Sequence, residues 1–337
     1  MQRVAIEVPE PGKPVAVADG IFWLRLKLPF ALDHVNLWIV DDGSSWTLID
    51  TGLGDATTKA IWDDLLAGLL HGRPVRRVLA THFHPDHAGN IGSLVERTGA
   101  ELLMSRTEWL TARMLVLDTS DDFVASGRRF DLACALPEDL IESRSRRGNY
   151  YRRNVDPIPY RFTRLQAGDR LELAGTMFEV IVGEGHSPEQ VTLHSRERNL
   201  LIAADQVLPS ISPNVAVWPS EPDADPLGAF QRTLARYVDV ADDAMVLPSH
   251  KTPFTGLQQR IEQLQRHHDE RLEATLAACR QPSKAVEVMV RLFPRALDMH
   301  QLSFALGETL AHLNRLVVSR GIVKETDAAG VNFYRAA

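Results

Sequence analysis

The chain has 337 residues, of which 45% are hydrophobic and 24% are charged, and its formal net charge is -7. A chain of this length can bury a large core, and its composition is that of an ordinary soluble globular protein, with one large and one small domain as the expected organisation. The acidic charge gives no reason to expect general nucleic-acid binding.

The two cysteines, Cys134 and Cys279, lie far apart and outside any run of metal-ligand residues. A disulfide framework is therefore not expected, and a reducing compartment is favoured. The residues up to Pro14 lack the apolar segment of a signal peptide, and no apolar run is long enough to cross a bilayer. We therefore expect a cytoplasmic protein.

Short β-type runs separated by Asp-Gly turns occupy residues 15–50 and predict a β meander. The last run ends at Asp50, which either closes a strand-to-loop turn or orients a metal ligand without touching the metal. Both interpretations stay open at this point. An amphipathic helix is predicted over 57–70, and a strand follows at 74–80.

Three histidines and a carboxylate follow that strand within six residues. Ligand-type side chains directly after an apolar run indicate a strand that delivers its loop to a metal. His82 and His84 are two residues apart, so an extended backbone points both imidazoles the same way. Pro85 favours an extended residue before it and a helix after it, which would turn Asp86 and His87 toward the same point. That helix is predicted to continue to Thr98. The alternative is a loop whose histidines cluster by chance.

An insertion between residues 105 and about 160 interrupts the alternation of strands and helices. Helices are predicted at 107–116 and 137–143, with polar linkers between them. A run rich in arginine and tyrosine could grip a carboxylate or phosphate of a substrate, although such charged runs are more often mobile, solvent-facing loops. The candidate substrate residues in this run are Arg146, Arg147, Tyr150, Tyr151, Arg152 and Arg153.

Three further apolar runs lead to ligand-type residues, as the run before His82 does. Each of these runs is predicted to be a strand, and the residues that follow are His186, Asp205 and His250. Taken singly, each histidine is as readily a core or surface residue as a ligand. Strands that share a sheet and end at one edge bring their ends together, so the repeated pattern predicts that these residues converge.

The end of the chain predicts a smaller domain. A polar connector helix is followed by helices at 285–292 and 304–319 and by a hairpin, an order that suggests a winged-helix shape. DNA binding is the more specific hypothesis for that shape. From residue 284 onward, however, there are seven Lys/Arg against five Asp/Glu, a nearly balanced charge that does not favour it. Packing, lid or dimer contact is therefore preferred. The predicted domains are 1–265, which contains the insertion, and 266–337.

Residues from about 15 to 255 resemble the metallo-β-lactamase-fold hydrolase superfamily. The resemblance rests on the pattern H-x-H-x-D-H from His82 to His87, on Gly-His-Ser-Pro around His186, and on the positions of Asp205 and His250. It implies an α/β (α+β) fold class, a four-layer αβ/βα sandwich with a small C-terminal winged-helix-like domain. It also implies a first metal held by His82, His84 and His186, a second held by Asp86, His87 and His250, and Asp205 as the bridge between them.

Such a ligand set implies two divalent metal ions, with zinc expected and iron or manganese as the alternatives. A hydroxide bridging the metals would attack an acyl carbon, and Asp86 would orient it and move a proton. We therefore predict a binuclear metal-dependent hydrolase of a small acyl compound, such as a thioester, a lactone or a related ester or amide. A phosphodiesterase or nuclease and a non-hydrolytic mono-iron sulfur dioxygenase are the alternatives. The expected partner is a small-molecule substrate; a homodimer is left open, and neither a membrane nor a nucleic acid is expected.

Overall fold

A computed structural model describes residues 1–337, with the side chain of residue 300 excepted. The chain divides into two compact units, each built from several segments. The first unit comprises Met1–Leu117, Tyr150–Pro213 and Arg236–Ile261, and the second comprises Asp118–Asn149, Asn214–Ala235 and Glu262–Ala337. The predicted boundary after residue 265 stays a prediction.

The described part of the chain contains seventeen strands and eleven α-helices. The strands are β1 (Gln2–Arg3), β2 (Val15–Ala18), β3 (Ile21–Lys27), β4 (His34–Asp41), β5 (Trp46–Ile49), β6 (Val75–Leu79), β7 (Glu101–Ser105), β8 (Thr163–Leu165), β9 (Arg170–Leu173), β10 (Thr176–Gly183), β11 (Gln190–Ser195), β12 (Leu200–Ala204), β13 (Met245–Pro248), β14 (Phe254–Thr255), β15 (Ser283–Lys284), β16 (Ile322–Thr326) and β17 (Asn332–Ala336). The helices are α1 (Ala56–Ala67), α2 (Pro85–Ala88), α3 (Ile91–Thr98), α4 (Arg106–Leu117), α5 (Asp121–Ala133), α6 (Glu138–Arg147), α7 (Tyr150–Asn154), α8 (Pro226–Leu234), α9 (Leu257–Ala278), α10 (Ala285–Leu292) and α11 (Met299–Val318). In the described part of the chain, none of these helices combines the length and apolar character needed to span a membrane.

The strands of the first unit form, among the described residues, two seven-stranded sheets. Their orders are β2-β3-β4-β5-β6-β7-β8 and β1-β14-β13-β12-β11-β10-β9. Strands β2 to β5 pair antiparallel, as the predicted meander requires, whereas β5 to β8 run parallel and β12 is parallel to β13. Neighbouring parallel strands end at the same edge of a sheet, so the loops after β5 and β6 emerge together, as do those after β12 and β13.

Among the described residues, hydrophobic cores lie on both faces of the β2–β8 sheet. One lies between the two sheets and includes Trp38 and Phe178. The other joins the β2–β8 sheet to helices α1, α3 and α4 through residues such as Trp62, Leu94 and Ala112. Buried and exposed positions alternate at the start of β10, as expected for a strand with one face in a core. The predicted α/β class is confirmed by this combination of two sheets and helices.

The second unit contains a small sheet in the order β15-β17-β16. Strands β16 and β17 pair antiparallel from Ile322 opposite Ala336 to Thr326 opposite Asn332. The turn between them includes Gly330, whose φ of 84° suits glycine. The predicted hairpin near the end of the chain is therefore present.

Two predictions about the insertion were wrong. The run rich in arginine and tyrosine is not a loop, because α6 and α7 contain all of it except Gly148 and Asn149. Helix α6 begins with acidic residues and ends with arginines, which suits the helix dipole. The segment before it was predicted to be a polar linker but forms α5, whose Ser120 side chain accepts a hydrogen bond from the Phe123 amide as an N-cap.

Candidate metal centre

The predicted ligand residues occupy loops that follow strands of the first unit. Strand β6 leads to His82 and His84, and helix α2 carries Asp86 and His87. His84 is extended, with φ of -55° and ψ of 147°, as expected for the residue before Pro85. His186, Asp205 and His250 follow β10, β12 and β13 in the other sheet. The two sheets therefore bring together residues separated by up to 168 positions (from 82 to 250).

Three imidazole nitrogens form the first cluster. His84 Nδ1 lies 3.0 Å from His82 Nε2 and 3.0 Å from His186 Nε2, and the last two nitrogens are 3.2 Å apart. Nitrogens that surround one zinc tetrahedrally at its usual bond length are about 3.3 Å apart. The three nitrogens are therefore spaced to share one cation.

Asp205 lies between this cluster and a second one. Asp86 Oδ2 is 3.6 Å from His87 Nε2 and 3.6 Å from His250 Nε2. Asp205 Oδ2 is 3.3 Å from both His186 Nε2 and His250 Nε2, and 3.6 Å from His87 Nε2. One carboxylate oxygen thus faces ligand atoms of both clusters, which is the position of a bridging ligand.

Hydrogen bonds orient the imidazoles so that Nε2 of three of them faces the centre. His87 Nδ1 lies 2.8 Å from Asp50 Oδ2, and His250 Nδ1 lies 2.8 Å from the His34 carbonyl, so each Nδ1 is the donor. The Thr81 hydroxyl donates to Asp50 and therefore accepts from His82 Nδ1. Among the described residues, His87 Nε2 and Asp205 Oδ1 are buried and have no hydrogen-bond partner. Bound cations would give each of these atoms a partner.

The charges of the site favour a bound cation. Burial, reinforced by the neighbouring imidazoles, holds the pKa of His82 and His84 well below the usual histidine value, which keeps both in the neutral form that binds metals. Burial opposes the charges of His87 and Asp205. Nearby carboxylates outweigh it at His87, whose pKa is raised, and nearby imidazoles outweigh it at Asp205, whose pKa is lowered. The carboxylates of this cluster therefore attract positive charge.

Comparison with known proteins identifies the family. The model of the metallo-beta-lactamase superfamily matches residues 31–256. The chain belongs to this superfamily. Residues 272–337 match the metallo-beta-lactamase-like, C-terminal domain. The predicted recognition and fold are confirmed by these matches, and the chain is a metal-dependent hydrolase of the superfamily.

Several members of the superfamily are similar over most of the chain. The crystal structure of a beta-lactamase domain protein from Burkholderia ambifaria is 39% identical, covers 100% of this chain and 98% of its own, and has a TM-score of 0.90. The probable metallo-hydrolase YqjP of Bacillus subtilis is 25% identical over 94% of this chain and 98% of its own length. The acyl-coenzyme A thioesterase MBLAC2 of Bos taurus is 26% identical over 71% of this chain and 81% of its own length.

Residues with a strained backbone lie near the ends of strands that lead to the candidate metal site. Asp50, Ala204 and Lys251 have φ values of 62°, 47° and 72°, in the left-handed region that non-glycine residues rarely adopt. Each of these residues lies at, or next to, a residue of the site. Such conformations cost about 1–3 kcal/mol each and persist only where surrounding contacts fix them.

The loop after β5 lies so close to the end of the histidine motif that the helix is interrupted there. The sequence predicted one helix from about Asp86 to Thr98, but the structure breaks it between α2 and α3. A Cβ on Gly89 would lie 2.4 Å from the Pro85 carbonyl oxygen and 2.5 Å from the Gly54 nitrogen. Only glycine therefore allows the loop after β5 to pack against the motif.

The predicted substrate residues divide between the two units. Arg146 and Arg147 end α6 in the second unit, and Arg146 lies 3.3 Å from Glu142 in an exposed ion pair. In the first unit, α7 carries the rest, and Arg152 and Arg153 are exposed. The Tyr151 hydroxyl instead donates to the Phe83 carbonyl at 2.5 Å. A substrate role for Arg146, Arg147, Tyr150, Tyr151, Arg152 and Arg153 stays a prediction.

The sequence did not indicate several residues that support the site. The His34 carbonyl and the Gln190 side chain contact the ligand imidazoles, yet both residues lie at the starts of strands and outside the motifs recognised in the sequence. Glu108 lies inside α4 and is fully buried, although nothing in its neighbourhood distinguishes it from other helical glutamates. Such residues become visible only when the fold brings distant segments together.

Proposed function

We propose that this chain hydrolyses acyl thioesters at a binuclear metal site. His82, His84 and His186 would hold one divalent ion, Asp86, His87 and His250 the other, and Asp205 both. The observation that carries the proposal is the position of Asp205 Oδ2, which faces His186 of one cluster and His250 of the other at 3.3 Å. Similarity to the thioesterase MBLAC2 supports a thioester as the substrate.

Zinc is the metal proposed, because imidazole and carboxylate ligands suit it. When bound, the two ions would lower the pKa of the attacking water toward neutral pH and withdraw charge from the acyl oxygen. The residues themselves fix the geometry: Asp50, Thr81 and the His34 carbonyl hold the imidazoles in the tautomer that presents Nε2. The site is thereby arranged before any substrate arrives.

Asp86 is the residue proposed to move the proton. Its side chain is 14% exposed, whereas that of Asp205 is 7% exposed, so Asp86 is the carboxylate more accessible to water. As the water oxygen bonds to the acyl carbon, Asp86 takes the water's proton; when the carbon–sulfur bond breaks, that proton passes to the thiolate. The products are a carboxylic acid and a thiol.

The test is a substrate panel measured on zinc-loaded protein. We expect the highest kcat/KM with an acyl thioester, and lower values with a lactone, a β-lactam and a phosphodiester. Asp86→Asn should lower kcat on the thioester by about 100-fold or more. A preference for the phosphodiester, or iron-dependent oxygen uptake without hydrolysis, would contradict the proposal and favour one of the two alternatives.

For residues 266–337 we propose a winged-helix-like fold that serves packing or dimer contact rather than DNA binding. In the second unit, the Asn314 amide donates to the Pro222 carbonyl, Arg315 pairs with Asp225, and Lys324 pairs with Asp223. These side chains are the kind that would bind the phosphates of DNA, and here they bind groups within the unit instead. We expect no salt-sensitive binding to duplex DNA in a fluorescence-anisotropy titration. A cytoplasmic location is also proposed, since both cysteines are free thiols.

A further inference from the structure

Glu108 is a fully buried carboxylate on α4 that accepts three hydrogen bonds. Its Oε1 accepts from the Ser187 hydroxyl and from the Glu189 amide, both at 2.7 Å. Its Oε2 accepts from the Phe83 amide at 2.9 Å. The side chain therefore bonds simultaneously to two loops that are more than a hundred residues apart in sequence.

Both loops carry ligands of the first cluster. Phe83 lies between His82 and His84, and Ser187 directly follows His186. Glu108 thus bonds next to all three imidazoles without touching any of their nitrogens. The Phe83 peptide is held from its other side as well, because the Tyr151 hydroxyl donates to its carbonyl oxygen. The backbone between His82 and His84 is thereby fixed at both its donor and its acceptor.

Three donors and no acceptor face this carboxyl group, an arrangement that requires a carboxylate. A glutamine in its place would direct an N–H toward at least one of the donors. Among the described residues, no lysine or arginine forms an ion pair with Glu108. Burial raises the pKa of Glu108 to about 7. A buried carboxylate without a cationic partner costs folding free energy, so stability does not account for it.

We propose that Glu108 is a positioning residue that ties the loop of His82 and His84 to the loop of His186 and keeps their three nitrogens at the spacing of one metal. The inference rests on the proposed metal site. It predicts that Glu108 acts on metal affinity and on coordination geometry, through Phe83 and Ser187, without contacting the metal or the substrate.

The experiment measures zinc affinity of the full-length protein by competition with a chromophoric chelator, and the visible absorption spectrum after loading with cobalt. Glu108→Gln should weaken the binding of one of the two zinc ions by about 10–100-fold and alter the cobalt bands. Ser187→Ala removes one of the three hydrogen bonds and keeps the carboxylate, so it should shift affinity in the same direction by less. If Glu108→Gln does not fold, Ser187→Ala carries the test.

Glu308→Gln is the matched control, because burial also raises the pKa of Glu308 to about 7 and this residue lies in the second unit. It should change thermal stability but neither zinc affinity nor the cobalt spectrum. Wild-type affinity in both Glu108→Gln and Ser187→Ala would overturn the positioning role alone. Failure of the wild-type protein to bind zinc would contradict the proposed function as well.

Discussion

At the scale of single residues, Asp50 connects the two clusters. Its Oδ1 accepts from the Thr81 amide at 2.7 Å, and its Oδ2 accepts from the Thr81 hydroxyl and from His87 Nδ1, both at 2.8 Å. Through Thr81 it fixes the tautomer of His82 in the first cluster, and directly it fixes that of His87 in the second. The sequence left two roles open for Asp50, a strand-to-loop turn or the orientation of a metal ligand. This geometry favours the second role.

Asp50→Asn tests this role. The amide keeps the shape of the side chain but turns an N–H toward one of its three donors, so His82 or His87 loses its fixed orientation. We expect zinc affinity to fall by about 10–100-fold while the protein remains folded. Competition with a chelator measures the affinity, and circular dichroism checks the fold.

Asp42→Asn is the control for that variant. Asp42 also accepts three hydrogen bonds, from Thr47, Arg77 and the Ala174 amide, but it precedes β5 whereas Asp50 follows it. It should lose stability with no change in zinc affinity. Equal losses of affinity in the two variants would show that Asp50 acts only through general stability.

At the scale of elements, strands and helices could be predicted from the sequence where the pattern of apolar residues is clear. Strand β6 was predicted at 74–80 and helix α1 at 57–70, close to the observed Val75–Leu79 and Ala56–Ala67, because apolar residues mark both runs. Helix α5 was missed because polar and apolar residues are about equally frequent between Asp121 and Ala133, and only Phe130 and Asp131 are buried. The break between α2 and α3 was missed because it depends on the distant Gly54 loop.

Strand β10 offers a test of the core between the sheets. Phe178 is 0% exposed there, whereas the adjacent Met177 is 50% exposed. Phe178→Ala should lower the free energy of unfolding by about 3–5 kcal/mol, because it removes apolar contacts and leaves a cavity. Met177→Ala should change it by at most about 0.5 kcal/mol. Urea unfolding measures both, and similar losses would contradict the assigned faces of the strand.

A buried histidine pair makes the second unit sensitive to acid. His268 Nδ1 lies 3.4 Å from His312 Nε2, and both side chains are 1% exposed. Burial, with a smaller effect of His312, lowers the pKa of His268 to about 3. Between about pH 3 and 6.5 the unfolded chain therefore binds more protons than the folded one, so stability falls as the pH is lowered through this range.

His268→Gln should reduce that pH dependence. The wild-type protein should lose up to about 1.4 kcal/mol per pH unit relative to the variant below pH 6.5. Burial raises the pKa of Glu308, which works in the opposite direction between about pH 4.5 and 7, so the two proteins must be compared at each pH. Parallel curves of unfolding free energy against pH would contradict the assignment of a neutral His268.

At the scale of the whole molecule, the site depends on strand ends from two sheets. The ligand-type residues could be named from sequence because each follows an apolar run, and because His82 to His87 form a dense motif. Among their supporting residues, Asp50 was one of two interpretations that the sequence left open. His34 and Glu108 could not be named, since they reach the site only through the fold. Candidate substrate residues could be named only by composition, because they lie at the end of α6 and on α7, beyond the helix predicted at 137–143.

The central claim is that seven residues from these strand ends hold two divalent ions. Metal quantification on the protein after zinc reconstitution and removal of excess metal tests it most directly. The wild-type chain should retain two zinc ions, and His82→Ala should retain one or none. A wild-type chain that retains less than one ion, or a His82→Ala chain that still retains two, would contradict the account.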